Sequence, residues 1–272
     1  MISPEVSTAV TILIFVLATI AGFWGILARN AGIRRAACLL AVSGFVCQTA
    51  MLGLGFHKAG LSVGAYMQLL AWFLVLCGIA VWAKFRQDAI LLFAAPLSLF
   101  LFASSSPLLG AFVHVPNSLH APFFALHIGS LLLSLALLLV GAVASLLFLV
   151  LQGRIKNKHS MKGFWQDIPA LSMLEKISAV ATGIAFPLYT LGIAAGLFWA
   201  KPAFGASVSG DPKEIVSILV WLMFAILFYG RFAKAWKGRR PARLTVAIFL
   251  ISMLSIFLVN GFLDSHHSFN RI

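Results

Sequence analysis

Of the 272 residues, 61% are hydrophobic and only 10% are charged, where a soluble globular domain carries roughly 25% charge. A chain this apolar cannot hide its side chains behind a water-facing surface, which excludes an ordinary soluble domain and makes the bilayer the expected solvent. The net charge of +13 would suggest nucleic acid in a soluble protein, but the basic residues sit in short loops between apolar runs, so no nucleic-acid partner is expected.

In chain order, eight spans are predicted, at about 7–28, 36–56, 64–84, 88–104, 121–152, 176–200, 214–233 and 243–263. Several reach the roughly 20 residues needed to cross about 30 Å of hydrocarbon, and a helix satisfies every backbone polar group within the span. The first run, Thr8 to Leu27, has no basic segment before it, and Arg29, Arg34 and Arg35 follow it. That pattern reads as a span with a stop-transfer flank, not a cleaved signal peptide. The fourth span is short, contains Pro96 and ends in Ser104-Ser105-Ser106-Pro107; the fifth is long enough for its last turns to leave the bilayer. Cys38, Cys47 and Cys77 all fall in apolar runs without CxxC spacing, and they read as small buried hydrophobes.

Charge then orients the chain. The loops between spans 1 and 2, 3 and 4, 5 and 6, and 7 and 8 hold sixteen of the twenty basic residues, while Lys58, Lys201, Lys213 and Arg271 fall on the other side. The rich side is expected to be cytoplasmic. The fold class is therefore all-α, a polytopic transmembrane helix bundle of about eight spans with both termini outside. The expected organisation is an N-terminal four-span region, 1–106, and a second four-span region, 107–272.

On that topology six of the seven histidines collect at or near the outer face: His57, His114, His120, His127, His266 and His267. Only His159 is cytoplasmic. Imidazole is the commonest metal ligand and a standard axial ligand of haem iron. His127 lies about two turns inside span 5 and His267 follows span 8, so the two could face one outer cavity. Two readings of His127 stay open: a ligand, or a core histidine bonded within the bundle. Adjacency leaves His266 and His267 indistinguishable by chemistry. At the outer start of span 7, Asp211 reads as an N-cap, Pro212 as the first helical residue and Glu214 as the third position of a capping box. The Gly192-Ile-Ala-Ala-Gly196 spacing reads as internal helix packing. The seven acidic residues sit at span ends and form no paired-carboxylate site, and no phosphate-binding glycine loop is present. A transporter would place ionisable groups near the bilayer midplane, and these spans are nearly free of them apart from His127.

Residues 107–272 carry ordered blocks: Leu126-His127-Ile128-Gly129-Ser130, Ala144 to Gln152, Met173-Leu174-Glu175-Lys176-Ile177-Ser178, Phe186 to Ala200, Asp211-Pro212-Lys213-Glu214, Trp236 to Arg240, Val259-Asn260 and His267-Ser268-Phe269. In their order and spacing these blocks resemble the integral membrane cytochrome c assembly family, its CcsA/ResC/HemX branch of haem-handling proteins. The first hundred residues match only through Gly55-Phe56-His57 and Ala71-Trp72. The resemblance implies that His127 and His267 ligate haem at the outer face and that His57 lies near a further outer histidine. It also sets Asp211, Lys213 and Glu214 at the end of a haem-binding loop. Haem-presenting members carry tryptophans before that run, whereas here Phe204, Val208 and Gly210 stand in their place. That departure resembles the tryptophan-poor, HemX-like branch.

The implied function is assistance to c-type cytochrome biogenesis by binding haem b non-covalently between two histidines, as an assembly factor or a subunit of a haem lyase system. The implied site is His127, His267, His57, Asp211, Lys213, Glu214 and Phe204, with His127 and His267 on the iron. Implied partners are haem, membrane lipid, other cytochrome c maturation proteins and apocytochrome, in the inner membrane. The alternative is a HemX-like regulator or scaffold that acts through the 153–175 loop without tight haem binding.

Overall fold

The computed structural model describes residues 4–55, 63–105, 121–166, 168–204 and 212–262. Among them are eight α-helices and no strand: α1 Pro4–Leu27, α2 Ala31–Gly55, α3 Val63–Phe85, α4 Asp88–Ser105, α5 Ala121–Lys156, α6 Leu171–Phe204, α7 Pro212–Phe232 and α8 Arg239–Phe262. A 3-10 turn, Gly163–Gln166, lies between α5 and α6. The chain is a multi-pass helical membrane protein. α1 to α7 are each long and apolar enough to cross a bilayer. α8 opens with Arg239, Arg240 and Arg243, and its side chains are described only as far as Ser255. Large apolar side chains such as Leu27 (78% exposed), Phe198 (70%) and Phe100 (66%) face outward from their helices, a surface suited to lipid and costly in water.

Every predicted span is a helix, and most helices run past their apolar segments. α2 begins five residues before its predicted span because Asn30 caps it: the Asn30 Oδ1 accepts from the N–H of Gly32 (2.9 Å) and of Ile33 (3.2 Å). α5 and α6 have 36 and 34 residues, about 50 Å of helix each at 1.5 Å per residue, well beyond a 30 Å hydrocarbon core. α4 continues through Pro96. The proline cannot donate to the carbonyl four residues back, a cost that neighbouring helices can absorb within a membrane. Close by, Ser98 Oγ donates to the Ala71 carbonyl of α3 (2.8 Å).

The helix ends carry a charge signature. Among the described residues, four non-glycine positions have positive φ: Arg29 (53°), Arg86 (54°), Lys158 (52°) and Ala235 (50°). Each follows the end of a helix, the usual place for a left-handed glycine. Three of them are basic, which sets a positive charge at the negative end of a helix dipole on the face where basic residues concentrate. Ala235 has no such compensation. Ala235→Gly is expected to raise stability by about 1 kcal/mol, read as a higher unfolding temperature in mild detergent. An unchanged or lower temperature would show that the left-handed backbone there carries no cost.

The chain divides into two compact units, residues 1–112 with 150–174, and residues 113–149 with 175–272. In the first, the core is Phe15, Ala18, Ala37, Cys38, Ala41, Val75, Leu91, Leu92 and Ala95. Small residues dominate it because helices in lipid associate by close approach, not by hydrophobic exclusion from water. Polar clasps add to it: the Gln48 amide donates to the Gln68 carbonyl (2.8 Å) and Trp72 Nε1 to Thr49 Oγ1 (2.7 Å). Cys38 and Cys77 are buried free thiols and Cys47 is half-buried, as their apolar setting predicts. In the second unit the core is Leu138, Ala185, Val220, Phe224, Leu227 and Ile248.

Candidate histidine site on helices α5 and α6

The second unit is held by a seam between α5 and α6. Ser145 and Ser178 share a hydrogen bond (2.8 Å), and Ser134 Oγ donates to the Ala185 carbonyl (2.8 Å). Gly141 faces Thr182, where an added Cβ would lie 3.1 Å from the Thr182 methyl. The helices approach this closely because glycine, alanine and serine line the seam. Toward the predicted outer end, Gly192 and Gly196 continue it. A Cβ at Gly192 would fall 2.6 Å from Leu131 Cδ2, and one at Gly196 would fall 2.6 Å from His127 Nδ1. The GxxxG spacing is therefore internal packing, as its sequence suggested, and it forms the seat of His127.

His127 Nδ1 lies 2.6 Å from the carbonyl oxygen of Gly192. A carbonyl only accepts, so Nδ1 is the protonated nitrogen, and in neutral imidazole the lone pair then resides on Nε2. A backbone carbonyl on one ring nitrogen is the arrangement that fixes the tautomer and orientation of a metal-binding histidine and raises its basicity. The residue is bonded within the bundle, the second of the two sequence readings, and in the neutral ring that bond makes Nε2 the basic atom.

One turn further in, Ile128, Leu131, Ser134, Tyr189, Ser217 and Phe224 are among the residues lining a cavity of about 210 Å³. Typical small-molecule pockets span about 300–1,000 Å³, so this slot is too small to enclose a porphyrin. Aromatic rings pack beside it, with Phe186 against Trp221, Phe224 and Phe228 at 5.2–6.1 Å between centroids. Trp221 Nε1 donates to Thr190 Oγ1 (3.0 Å), and Tyr189 OH to the Ser217 carbonyl (3.3 Å).

Glu214 lies in the first turn of α7, and Pro212 is the first helical residue, as the capping pattern predicts. His57, His267 and Asp211 lie outside the described residues, as do the side chains of Phe204 and Lys213. Among the described residues no three His, Cys, Asp or Glu side chains cluster as a metal site. What the structure adds is the Gly192 carbonyl and the Gly196 cradle. The available sequence signals were Leu126-His127-Ile128-Gly129-Ser130 and the GxxxG spacing, but nothing in either showed that they meet.

At the opposite end of this unit lies a polar network not foreseen from sequence. Arg231, near the end of α7, donates through its guanidinium to Ser178 Oγ of α6 (2.8 Å) and Thr245 Oγ1 of α8 (3.3 Å). Glu175 Oε1 accepts from the N–H of Gly238 (2.5 Å), whose φ is 75°. Together these tie three helices and the α7–α8 turn.

The glycine cradle predicts a graded result. Gly196→Ala is expected to push the His127 ring off its carbonyl, at an overpacking cost of about 1–3 kcal/mol. Gly129→Ala, where an added Cβ meets nothing within 4 Å, should be neutral or mildly stabilising. Equal unfolding temperatures for the two variants in detergent would contradict the cradle.

The sequence model of the family described as "Cytochrome C assembly protein" matches residues 61–267, well over half of the chain. The match spans His127, Phe204, Asp211 to Glu214 and His267; His57 lies before it. Among curated relatives, a cytochrome c biogenesis protein CcsA from Guillardia theta is 30% identical over 224 residues, covering 75% of this chain and 73% of the relative. The CcsA of Gloeobacter violaceus is 29% identical over 252 residues, covering 74% and 75%. Among solved structures, cytochrome c haem lyase CcmF aligns with a TM-score of 0.61 at 15% identity, which shows a shared fold. The alignment covers 95% of this chain and 50% of that protein, so this chain spans half the lyase's length. The chain belongs to the cytochrome c assembly protein family.

Proposed function

We propose that this protein assists c-type cytochrome biogenesis by binding haem non-covalently, as haem b, at the outer face of the inner membrane. His127 and His267 are the axial ligands in this reading. His57, Phe204, Asp211, Lys213 and Glu214 border the site. The observation that carries it is the His127 ring, held by the Gly192 carbonyl through Nδ1 with its lone pair on Nε2. The relatives' names add that proteins of this sequence type serve cytochrome c biogenesis. Haem would be the cargo, passed whole to an apocytochrome. This chain's own residues orient the ligand ring, keep that end of the seam close-packed, and place a carboxylate at the start of α7. Apocytochrome and other maturation proteins are the proposed partners.

Deleting the gene in its own host tests this reading through covalent haem on c-type cytochromes. A marked loss, restored by the wild-type chain and not by a His127→Ala, His267→Ala chain, is expected. Unchanged c-type haem would contradict it.

The second reading, a HemX-like regulator or scaffold without tight haem binding, is favoured by Phe204, Val208 and Gly210 standing where haem-presenting relatives carry tryptophan. It requires a cytoplasmic partner at the 153–175 loop. Capture of no such partner by the intact protein would contradict this version.

A further inference from the structure

Two aromatic rings share with His127 one end of the second unit. Phe123 lies four residues before His127 on α5, one helical turn of about 5.4 Å away on the same face. Phe198 lies on α6, two residues beyond the Gly196 that cradles the His127 ring. The rings of Phe123 and Phe198 meet across the two helices, 6.1 Å between centroids with their planes at 38°. That contact leaves much of both rings uncovered: Phe123 is 43% exposed and Phe198 70%.

Lipid alone is a poor account of this pair. The stretches apolar enough to span are Ala125–Lys156 in α5 and Leu171–Phe198 in α6. Phe123 lies just before the first and Phe198 is the last residue of the second, so both rings stand at the edge of the hydrocarbon. Tryptophan and tyrosine favour that depth because each joins an apolar body to a polar tip. Phenylalanine has no polar tip, and an exposed ring there gains most from a flat apolar surface laid against it. A porphyrin is such a surface, and its face extends past the helical turn that carries its iron ligand. Large aromatic rings stack on a planar macrocycle and keep it dry. Phe204, Val208 and Gly210 stand where haem-presenting relatives carry tryptophan, which leaves an aromatic face to be supplied from elsewhere.

We propose that Phe123 and Phe198 form the aromatic face against which the porphyrin packs when His127 holds the haem iron. This rests on the haem reading above; the two rings bind the macrocycle, and ligation stays with the histidines. The test is titration of haem b into the full-length protein in mild detergent, with affinity and midpoint potential read from the absorption bands. Phe123→Ala with Phe198→Ala should weaken binding about tenfold. The same pair should lower the midpoint potential, because water near the iron favours the more highly charged ferric state. Band positions should not move, since the ligands are unchanged, and the unfolding temperature without haem should change little at side chains this exposed. Phe123→Trp with Phe198→Trp should bind at least as tightly as wild type. Phe123→Leu with Phe198→Leu keeps apolar bulk without a flat face and should bind more weakly than wild type. Unchanged affinity and potential in the alanine pair, in a protein that loses haem on His127→Ala, would overturn this proposal and leave the haem reading standing. A leucine pair equal to wild type would do the same. A wild type that binds no haem would overturn both.

Discussion

Replacing His127 by alanine should abolish haem retention while leaving the protein folded in the membrane. Altering an outer-shell partner of a metal-bound histidine costs about 10–100-fold in affinity, and removing the ligand itself should cost more. The substitution also leaves the Gly192 carbonyl without its ring donor. That oxygen is a backbone acceptor within a helix, so the penalty is on the order of 1 kcal/mol and does not threaten the fold. Gly196→Ala makes the test specific. It keeps the imidazole but displaces it, so haem content should fall to an intermediate level. The two variants are read by haem per protein after purification from haem-replete cells. Equal haem in His127→Ala and wild type would remove His127 from the site. Full retention in Gly196→Ala would mean that the orienting contact is irrelevant to binding.

The largest expected stability effect lies at the other end of the same unit. Arg231→Ala should destabilise the protein by about 2–4 kcal/mol, because hydrogen bonds from a charged donor are worth about 1.5–3 kcal/mol each and two hydroxyls, Ser178 and Thr245, each lose that donor. Arg231→Lys should recover little, since one ammonium on a flexible stem cannot reproduce the planar fork that reaches both Ser178 and Thr245. Unfolding in mild detergent separates these outcomes. A change within about 0.5 kcal/mol for Arg231→Ala would place the guanidinium in water or among headgroups, as an ordinary flanking charge.

The spans were legible because crossing hydrocarbon demands long apolar runs, and a length criterion reads those directly. Helix ends were less legible. Asn30 extends α2 through Arg34 and Arg35, which an apolar criterion assigns to a loop. α6 begins at Leu171, ahead of Glu175 and Lys176, because helix formation does not stop where the hydrocarbon does. Arg34 and Arg231 show the main limit. In sequence both are flanking charges that orient the chain. In the structure each reaches a partner far along the sequence, Asp88 in one case and Ser178 in the other. The proposed histidine site rests on residue types and a family pattern, and of its histidines the structure describes His127. The pairing of His127 with Gly192, 65 residues apart, was not legible, because a GxxxG spacing announces close packing without naming the surface it packs on.

The account stands on His127 as one of two haem ligands, and the most direct measurement is the absorption spectrum of the purified full-length protein, oxidised and dithionite-reduced. A Soret band with sharp reduced α and β bands is predicted, lost together in His127→Ala and in His267→Ala. A wild-type protein from haem-replete cells that shows no Soret absorbance would contradict it.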